Sequence, residues 1–273
     1  MIDNKKLNNY KIDFKKQGFV ILKNVINKKN IEDFCKSLAY LINACNVKNV
    51  NIENIQKKSS LSLKKEILSK LLTLEKKDHK YISTIYDTVR DLNVVEKIYN
   101  NEKIISVVHK LLGINTDAPI YIKQKACRID MPKNTDFSLE WHQESPYTIK
   151  DSNLIQIWAP AVDNIKEING AIKILPGSHQ KGHLKTRDFF PKVGHAQYVP
   201  DEKEINKFNV MNVEMNLGDV LLFSKFLIHK SGNNNSELPR LTFIGHYHDP
   251  ANKKFFENFF YKGDKAIKKN SYT

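Results

Sequence analysis

The sequence predicts a mainly β protein with a helical cap, an antiparallel barrel or jelly roll with N-terminal helices packed on one sheet. Two observations predict it. Up to about residue 115 the apolar residues recur at the spacing of buried helix faces, and from about residue 118 they fall into seven short β-rich runs separated by turn signals. The chain also has no internal repeat and no stretch with the composition of a linker, so residues 1–273 read as one domain. Within it, 1–115 is the mainly helical part, 116–250 the jelly-roll core and 251–273 a C-terminal tail. With 41% hydrophobic and 27% charged residues, there is enough apolar mass for a sizeable core.

The elements follow in order. Gly18 to Asn24 (GFVILKN) is a short strand. Ile31, Phe34, Cys35, Leu38, Leu41, Ile42 and Cys45 mark one face of a helix, and the polar stretch 46–58 is a loop. Helices are expected over 62–74, 81–92 and 102–112, the last with Asn101 as N-cap and Gly113 as its stop. The β-rich runs cover 119–130, 138–144, 153–163, 171–177, 219–225, 227–232 and 240–249. Pro132-Lys133-Asn134, Pro176-Gly177-Ser178 and Gly232-Asn233-Asn234 are among the turn signals between them.

A formal net charge of +14 invites a nucleic-acid reading. The type of cation argues against it: of 44 basic residues only Arg90, Arg128, Arg187 and Arg240 are arginine, the residue that makes bidentate base and phosphate contacts. The lysines are scattered among Asn and Ile, and the one tight cluster, Lys262 to Lys269, is short. No nucleic-acid partner is expected. No apolar run approaches the roughly 18–20 residues of a membrane span, so no membrane partner is expected either. The first residues lack the apolar stretch of a secretory signal, and Cys35, Cys45 and Cys127 are an odd number without a CxxC pair. A cytoplasmic protein is the expectation. No feature of the sequence bears on oligomeric state.

Chemistry concentrates in three places. In Trp141-His142-Gln143-Glu144, residues 142 and 144 share one side of the expected strand, so an imidazole and a carboxylate converge. His229 follows the apolar run VLLFSKFLI. Two His and a carboxylate with other positions open is the ligand set of non-heme Fe(II) oxygenases. The spacing alone fits equally well a strand whose two polar residues face solvent. Arg240 lies eleven residues after His229, across the turn KSGNNNSELP, which places the two side by side if the segment is a hairpin. A guanidinium there holds a carboxylate with two parallel hydrogen bonds, and Ser231 adds a hydroxyl. The plainer alternative for Arg240 is a surface salt bridge; its use in a chain whose default cation is lysine favours the carboxylate site.

Five motifs carry a family resemblance: WHQESPY (Trp141 to Tyr147), IWAPAVD (Ile157 to Asp163), NGAIKILPGSH (Asn169 to His179), GDVLLF (Gly218 to Phe223) and HKSGxNxSxxxR (His229 to Arg240). In this order, from Gly18 to about His248, the chain resembles the phytanoyl-CoA dioxygenase family of iron- and 2-oxoglutarate-dependent oxygenases. The resemblance implies a double-stranded β-helix, with His142, Glu144 and His229 as ligands of Fe(II). It implies Arg240 and Ser231 as the grip on the distal carboxylate of 2-oxoglutarate, with Trp158 against that cosubstrate. Gly170 and Gly177 are then backbone-geometry positions, and His179 is structural rather than a ligand. Glu144 departs from the Asp usual in the family, which moves the ligand oxygen outward by a methylene; a carboxylate of either length leaves no room for the chloride of a halogenase.

The implied reaction consumes 2-oxoglutarate and O2, releases succinate and CO2, and hydroxylates a C–H bond of a small-molecule substrate. Desaturation, cyclisation and epimerisation share its oxidant. If the strand from Arg240 is regular, Thr242, Ile244, His246 and His248 share its inward face. His246 and His248 then line the substrate pocket, form a rival metal pair, or are a polar strand end. Lys123, Lys125 and Arg128 lie near the expected pocket entrance, where they receive an anionic substrate or face solvent. The alternative function is a catalytically silent family member that binds a ligand or partner, for which Glu144 is the main support.

Overall fold

The protein is described by a computed structural model covering residues 2–136, 138–149, 151–191 and 197–259. Residues 260–273, most of the expected tail and all of the Lys262 to Lys269 cluster, lie outside it. The chain opens with helix α1 (Asn4–Gln17), strand β1 (Phe19–Leu22) and helix α2 (Lys28–Ala44), followed by α3 (Ser60–Lys77), α4 (His79–Val89), α5 (Asn93–Tyr99) and α6 (Glu102–Leu112). Then come β2 (Tyr121–Asp130), β3 (Leu154–Pro160), β4 (Ile172–Ile174), β5 (Thr186–Phe189), β6 (Gln197–Pro200) and the short α7 (Glu202–Ile205). β7 (Met211–Val213), β8 (Val220–Ser224), β9 (His229–Lys230) and β10 (Arg240–His248) complete the fold.

The helices begin where capping side chains satisfy their first N–H groups. Asn27 accepts from Asn30 N at the start of α2, Ser59 from Ser62 N at α3, and Asn101 from Lys103 N and Ile104 N at α6. α6 stops at Gly113, whose left-handed backbone (φ 73°) returns its N–H to His109 O. α3 and α4 extend beyond their expected ends or start earlier, and α1 and α5 were not expected as separate helices. α1 has no buried residue, so its apolar stripe (Leu7, Tyr10, Phe14) is thin and only half-covered by the core. α5 is seven residues long, too short for a periodicity to register.

All strand pairings are antiparallel. A five-stranded sheet runs β1-β8-β3-β10-β2, a three-stranded sheet β7-β4-β9, and β5 pairs with β6. The mainly helical segment thus contributes the edge strand β1 to the large sheet, Phe19 opposite Phe223. The helices cover one face of that sheet. Phe34 of α2 meets Phe243 of β10 edge-on, with ring centroids 4.8 Å apart, within a core that also takes Ile155, Ile157 and Ala159 of β3. The opposite face of β3 turns Trp158 into a second apolar cluster with Ile172, Val213 and Leu221, between the two sheets. Every residue of β3 is buried because both faces are covered, which is why its sequence is a continuous apolar run rather than an alternation.

Two strand expectations are corrected. Residues 138–144 are not a strand: their one ladder contact is an isolated bridge of His142 to His229, after which Tyr147 N closes a turn onto Glu144 O. His229 and Arg240 are not hairpin neighbours either. β9 pairs with β4 in the small sheet, whereas β10 sits between β3 and β2 in the large one. The intervening loop passes between the sheets and is held there by Asn234, whose amide donates to Asp130 O (3.0 Å) and Leu238 O (2.9 Å). β5, β6 and β7 add short strands that the sequence reading left unassigned.

Candidate active site

The irregular segment around His142 is fixed by its middle residue. Gln143 is fully buried and points away from its neighbours. Its amide donates to Gly182 O (2.8 Å) and Phe226 O (2.7 Å) and accepts from Leu184 N (2.9 Å). Glu144 N then bonds Lys225 O at 3.0 Å, so the chain runs beside the β8–β9 connection and presents His142 and Glu144 together. The convergence expected of a strand is achieved by a clamp instead.

His142 Nδ1 donates to Glu140 O at 2.6 Å, and His229 Nδ1 to Leu227 O at 3.0 Å. A carbonyl can only accept, so both rings carry their proton on Nδ1 and keep a lone pair on Nε2. Burial holds His142 below its ordinary range and pushes His229 down to about 3, with the neighbouring His142 adding to the effect. For Glu144, burial works to raise the carboxyl, but the contact with His246 Nε2 more than offsets it and holds the group below its usual range. His142 Nε2 is buried with no hydrogen-bond partner among the described residues. One donor atom each from His142, Glu144 and His229 lies within 4.8 Å of the others. Two neutral imidazole lone pairs, one of them on the orphaned His142 Nε2, and an ionised carboxylate are a donor set that a divalent transition metal satisfies.

These three residues line a cavity of about 490 Å³, together with Trp158, Ser231, Arg240 and His246. At the Arg240 end the charges meet each other. Arg240 Nη2 lies 2.8 Å from Asp130 Oδ2, and Arg128 Nη2 lies 2.8 Å from Asp130 Oδ1. Burial raises the Asp130 carboxyl, and the two guanidinium groups overcome it, leaving the group below its usual range. Arg240 Nη1 also donates to Gly232 O at 3.0 Å and to Gly170 O. Gly170 has φ 90°, and a β-carbon there would collide with the guanidinium, so glycine serves both the turn and the approach of Arg240.

The other sequence candidates divide. Trp158 and Ser231 line the cavity, Ser231 Oγ accepting from Leu139 N at 3.4 Å. Lys125 lines it too, in an ion pair with Glu96, as does Arg128. Lys123 lies over the Phe259 ring. His246 lines the cavity, its Nε2 3.1 Å from Glu144 Oε1. His248, expected beside it, instead bonds Ser152 Oγ at 2.7 Å and is not in the lining. The two do not join the cluster of possible metal ligands. His179 packs against Gly18 and bonds Lys15 O at 3.2 Å, also apart from that cluster. The sequence reading missed Asp130, Gln143 and Gln156. Asp130 is the Cα partner of Arg240 across the β10–β2 ladder, a relation that needs the register, and Gln143 reads as a solvent residue until its clamp is seen.

The sequence profile of a family described as Phytanoyl-CoA dioxygenase (PhyH) matches residues 14–242. The chain belongs to the phytanoyl-CoA dioxygenase family. The peroxisomal phytanoyl-CoA dioxygenase of Rattus norvegicus is 33% identical over 110 residues, 37% of this chain and 30% of that protein. The 1-deoxypentalenic acid 11-beta-hydroxylase of Streptomyces exfoliatus is 27% identical over 153 residues, 53% of this chain and 52% of that protein. The chain therefore aligns with about a third to a half of the length of these relatives. Among solved structures, the epimerase SnoN in complex with Fe3+, alpha ketoglutarate and nogalamycin RO superposes with a TM-score of 0.60 at 14% identity, covering 90% of this chain and 85% of that one. EctD from S. alaskensis with 2-oxoglutarate and 5-hydroxyectoine gives 0.58 at 15% identity, covering 92% and 77%. At these identities the likeness to the solved structures is one of fold. In this family member the sheets are antiparallel and the helices segregate to one face of the larger sheet, an α+β arrangement.

Proposed function

We propose that this protein is an Fe(II)- and 2-oxoglutarate-dependent oxygenase that hydroxylates an unactivated C–H bond of a small molecule. The observation that carries the reading is the group of His142, Glu144 and His229, with a lone pair left unpartnered on His142, in the same cavity as the buried Arg240. On this reading the two antiparallel sheets are the faces of a double-stranded β-helix within one domain. Fe(II) held by those three residues would supply the activation of O2, coupled to conversion of 2-oxoglutarate to succinate and CO2, with one oxygen atom going to succinate and the other to the substrate.

The residues of the chain do the rest. Arg240 exchanges part of its pairing with Asp130 for the distal carboxylate of 2-oxoglutarate, and Ser231 contributes its hydroxyl. Trp158, on the adjacent β3, limits the cosubstrate laterally. The carbonyls of Glu140 and Leu227 keep the imidazole protons on Nδ1, so each ring meets the metal as a neutral donor. Phe223 packs edge-on against His229, ring centroids 4.9 Å apart, and shields that side from water.

The test is succinate formation from 2-oxoglutarate by the full chain, with and without Fe(II), across a panel of small molecules. Fe(II)-dependent succinate that disappears in His229→Ala supports the reading. Tight binding of metal and 2-oxoglutarate, with no succinate under any condition, points to the silent binding protein.

A further inference from the structure

The carboxylate of Glu144 has two oxygens in different surroundings. Oε2 faces His142 Nε2 at 3.9 Å, on the side of the proposed metal site, and Oε1 lies 3.1 Å from His246 Nε2. Both side chains are largely buried, His246 at 6% and Glu144 at 15% exposure, so this contact is made away from bulk water. A carboxylate in its charged form accepts only, which puts the proton of the His246 ring on Nε2. His246 Nδ1 is buried with no hydrogen-bond partner among the described residues, so the contact with Glu144 is made through Nε2.

The position of His246 is a consequence of β10. Opposite Gly245 the register of β2 slips, because Gln124 and Lys125 together face one residue of β10, and Gln124 takes a left-handed backbone (φ 54°). The irregularity lies in β2, so β10 keeps its alternation and sends His246 to the cavity side after Ile244. The hydroxyl of Tyr99 reaches the carbonyls of Ala126 (3.1 Å) and Ile244 (2.5 Å), tying the two strands together at the slip. Gln156, directly across the β3–β10 ladder, brings its amide to within 3.4 Å of His246 Nε2 and leaves its Oε1 without a partner. Turning that amide over gives the same N–H a second acceptor beside Glu144 Oε1, a shared hydrogen bond that keeps the ring nitrogen between the two side chains.

We infer that His246 is a positioning residue for Glu144: it ties down one carboxylate oxygen so that the other is presented singly to a divalent metal between His142 and His229. This deepens the proposed function and rests on it. A glutamate has one more rotatable bond than an aspartate, and a hydrogen bond to its far oxygen removes the freedom that this bond adds. The nitrogen that acts is Nε2, so a glutamine at 246, whose amide nitrogen falls at a similar reach, replaces it, whereas an apolar ring does not.

The experiment is an anaerobic titration of Co(II), as a spectroscopic stand-in for Fe(II), into the full chain, reading affinity and the visible d–d bands. Wild type, His246→Gln, His246→Asn, His246→Phe, Glu144→Asp and His229→Ala are compared, with far-UV circular dichroism as the check on folding. His246→Phe is expected to bind Co(II) about 10- to 100-fold more weakly with shifted bands, the range for loss of a hydrogen bond behind a ligand. His246→Gln is expected to remain within about threefold of wild type. Glu144→Asp, which leaves the imidazole in place but draws the carboxylate back from it, is expected to weaken binding; His246→Asn, whose amide is too short to reach Glu144, is expected to weaken it as well, and the two together to weaken it no more than Glu144→Asp alone. This pair keeps the test intact if His246→Phe does not fold. Wild-type affinity and bands in folded His246→Phe would overturn the inference, as would equal losses in the Gln and Phe variants or additive losses in the double variant. Retention of Co(II) by His229→Ala overturns the metal-site reading itself, a separate result.

Discussion

The two ends of the cavity are built on opposite plans. Around His142, Glu144 and His229 the backbone carbonyls of Glu140 and Leu227 take up the Nδ1 protons, and nothing among the described residues takes up the lone pair of His142 Nε2. Around Arg240 everything is taken up: Asp130 stands between two guanidinium groups, and the carbonyls of Gly170 and Gly232 accept from Nη1. A buried polar atom without a partner is costly, and a protein retains one where something else supplies the partner. On the proposed reading, an added cation supplies the missing partner at the first end, while at the second an incoming carboxylate would compete with one already present. Metal binding would then be a gain of missing contacts and cosubstrate binding an exchange of existing ones.

This contrast can be broken most sharply at the metal end. His229→Ala removes one of three donors and is expected to abolish Fe(II) binding in an anaerobic titration, whereas His179→Ala, outside the cluster, is expected to bind as wild type. Equal binding by both variants removes the distinction between the two ends. The next largest effect is expected at the exchanging end. Arg240→Ala should weaken 2-oxoglutarate binding to the Fe(II)-loaded protein by about 2–5 kcal/mol, the range for losing one partner of a buried charge pair. Arg240→Lys should lose less, because it keeps the charge and forfeits the fork. Following the metal-to-ligand absorption band reads both, and unchanged affinity in Arg240→Ala moves the cosubstrate elsewhere.

Asp130→Asn sharpens the idea of exchange. Without its carboxylate, Arg128 and Arg240 lose a shared anion, and the protein alone is expected to lose about 1–3 kcal/mol of stability. Saturating 2-oxoglutarate should raise the Tm of this variant more than that of wild type, since the ligand brings a replacement carboxylate. An equal rise in both would mean that Asp130 does not compete.

The smallest effect is expected from His248, which borders the site without lining it. Burial pushes its imidazole down to about 3, helped by the nearby charges of Lys123 and Lys225. The unfolded chain takes up a proton near pH 6.5 that the folded chain refuses until about pH 3, so the stability due to this group is complete above 6.5 and declines as pH falls through that window. Denaturant unfolding with chelator present at pH 7.5 and 5.0 should show a smaller acid loss in His248→Asn, which keeps an amide nitrogen near Ser152 Oγ. An identical loss in the two proteins assigns the acid sensitivity to other groups.

Much of this site is legible in the sequence. His142, Glu144, His229 and Arg240 were picked out by residue type and spacing and by the motifs around them, and they do meet in one cavity. The route by which they meet was not legible. A strand was expected to align His142 with Glu144; the buried amide of Gln143, which looks like an ordinary polar residue in the sequence, does it instead. A hairpin was expected to join His229 to Arg240; they come from different sheets and approach across the cavity. His246 and His248 were indistinguishable as a strand pair, yet one touches Glu144 and the other Ser152.

What the sequence by itself determined is whatever depends on one stretch of chain: the helix faces at 3–4 spacing, the continuous apolar run of β3, the glycine that stops α6, and the choice of arginine in a lysine-rich protein. Each is a local preference of backbone or side chain, readable within about a dozen residues. The tertiary structure alone decided what those residues face. Asp130 meets Arg240 through a strand register across 110 positions, and His246 reaches Glu144 because a bulge in β2 leaves β10 straight. Register and crossing between sheets are set by the packing of side chains far apart in the chain, whose combined burial energy no local pattern records.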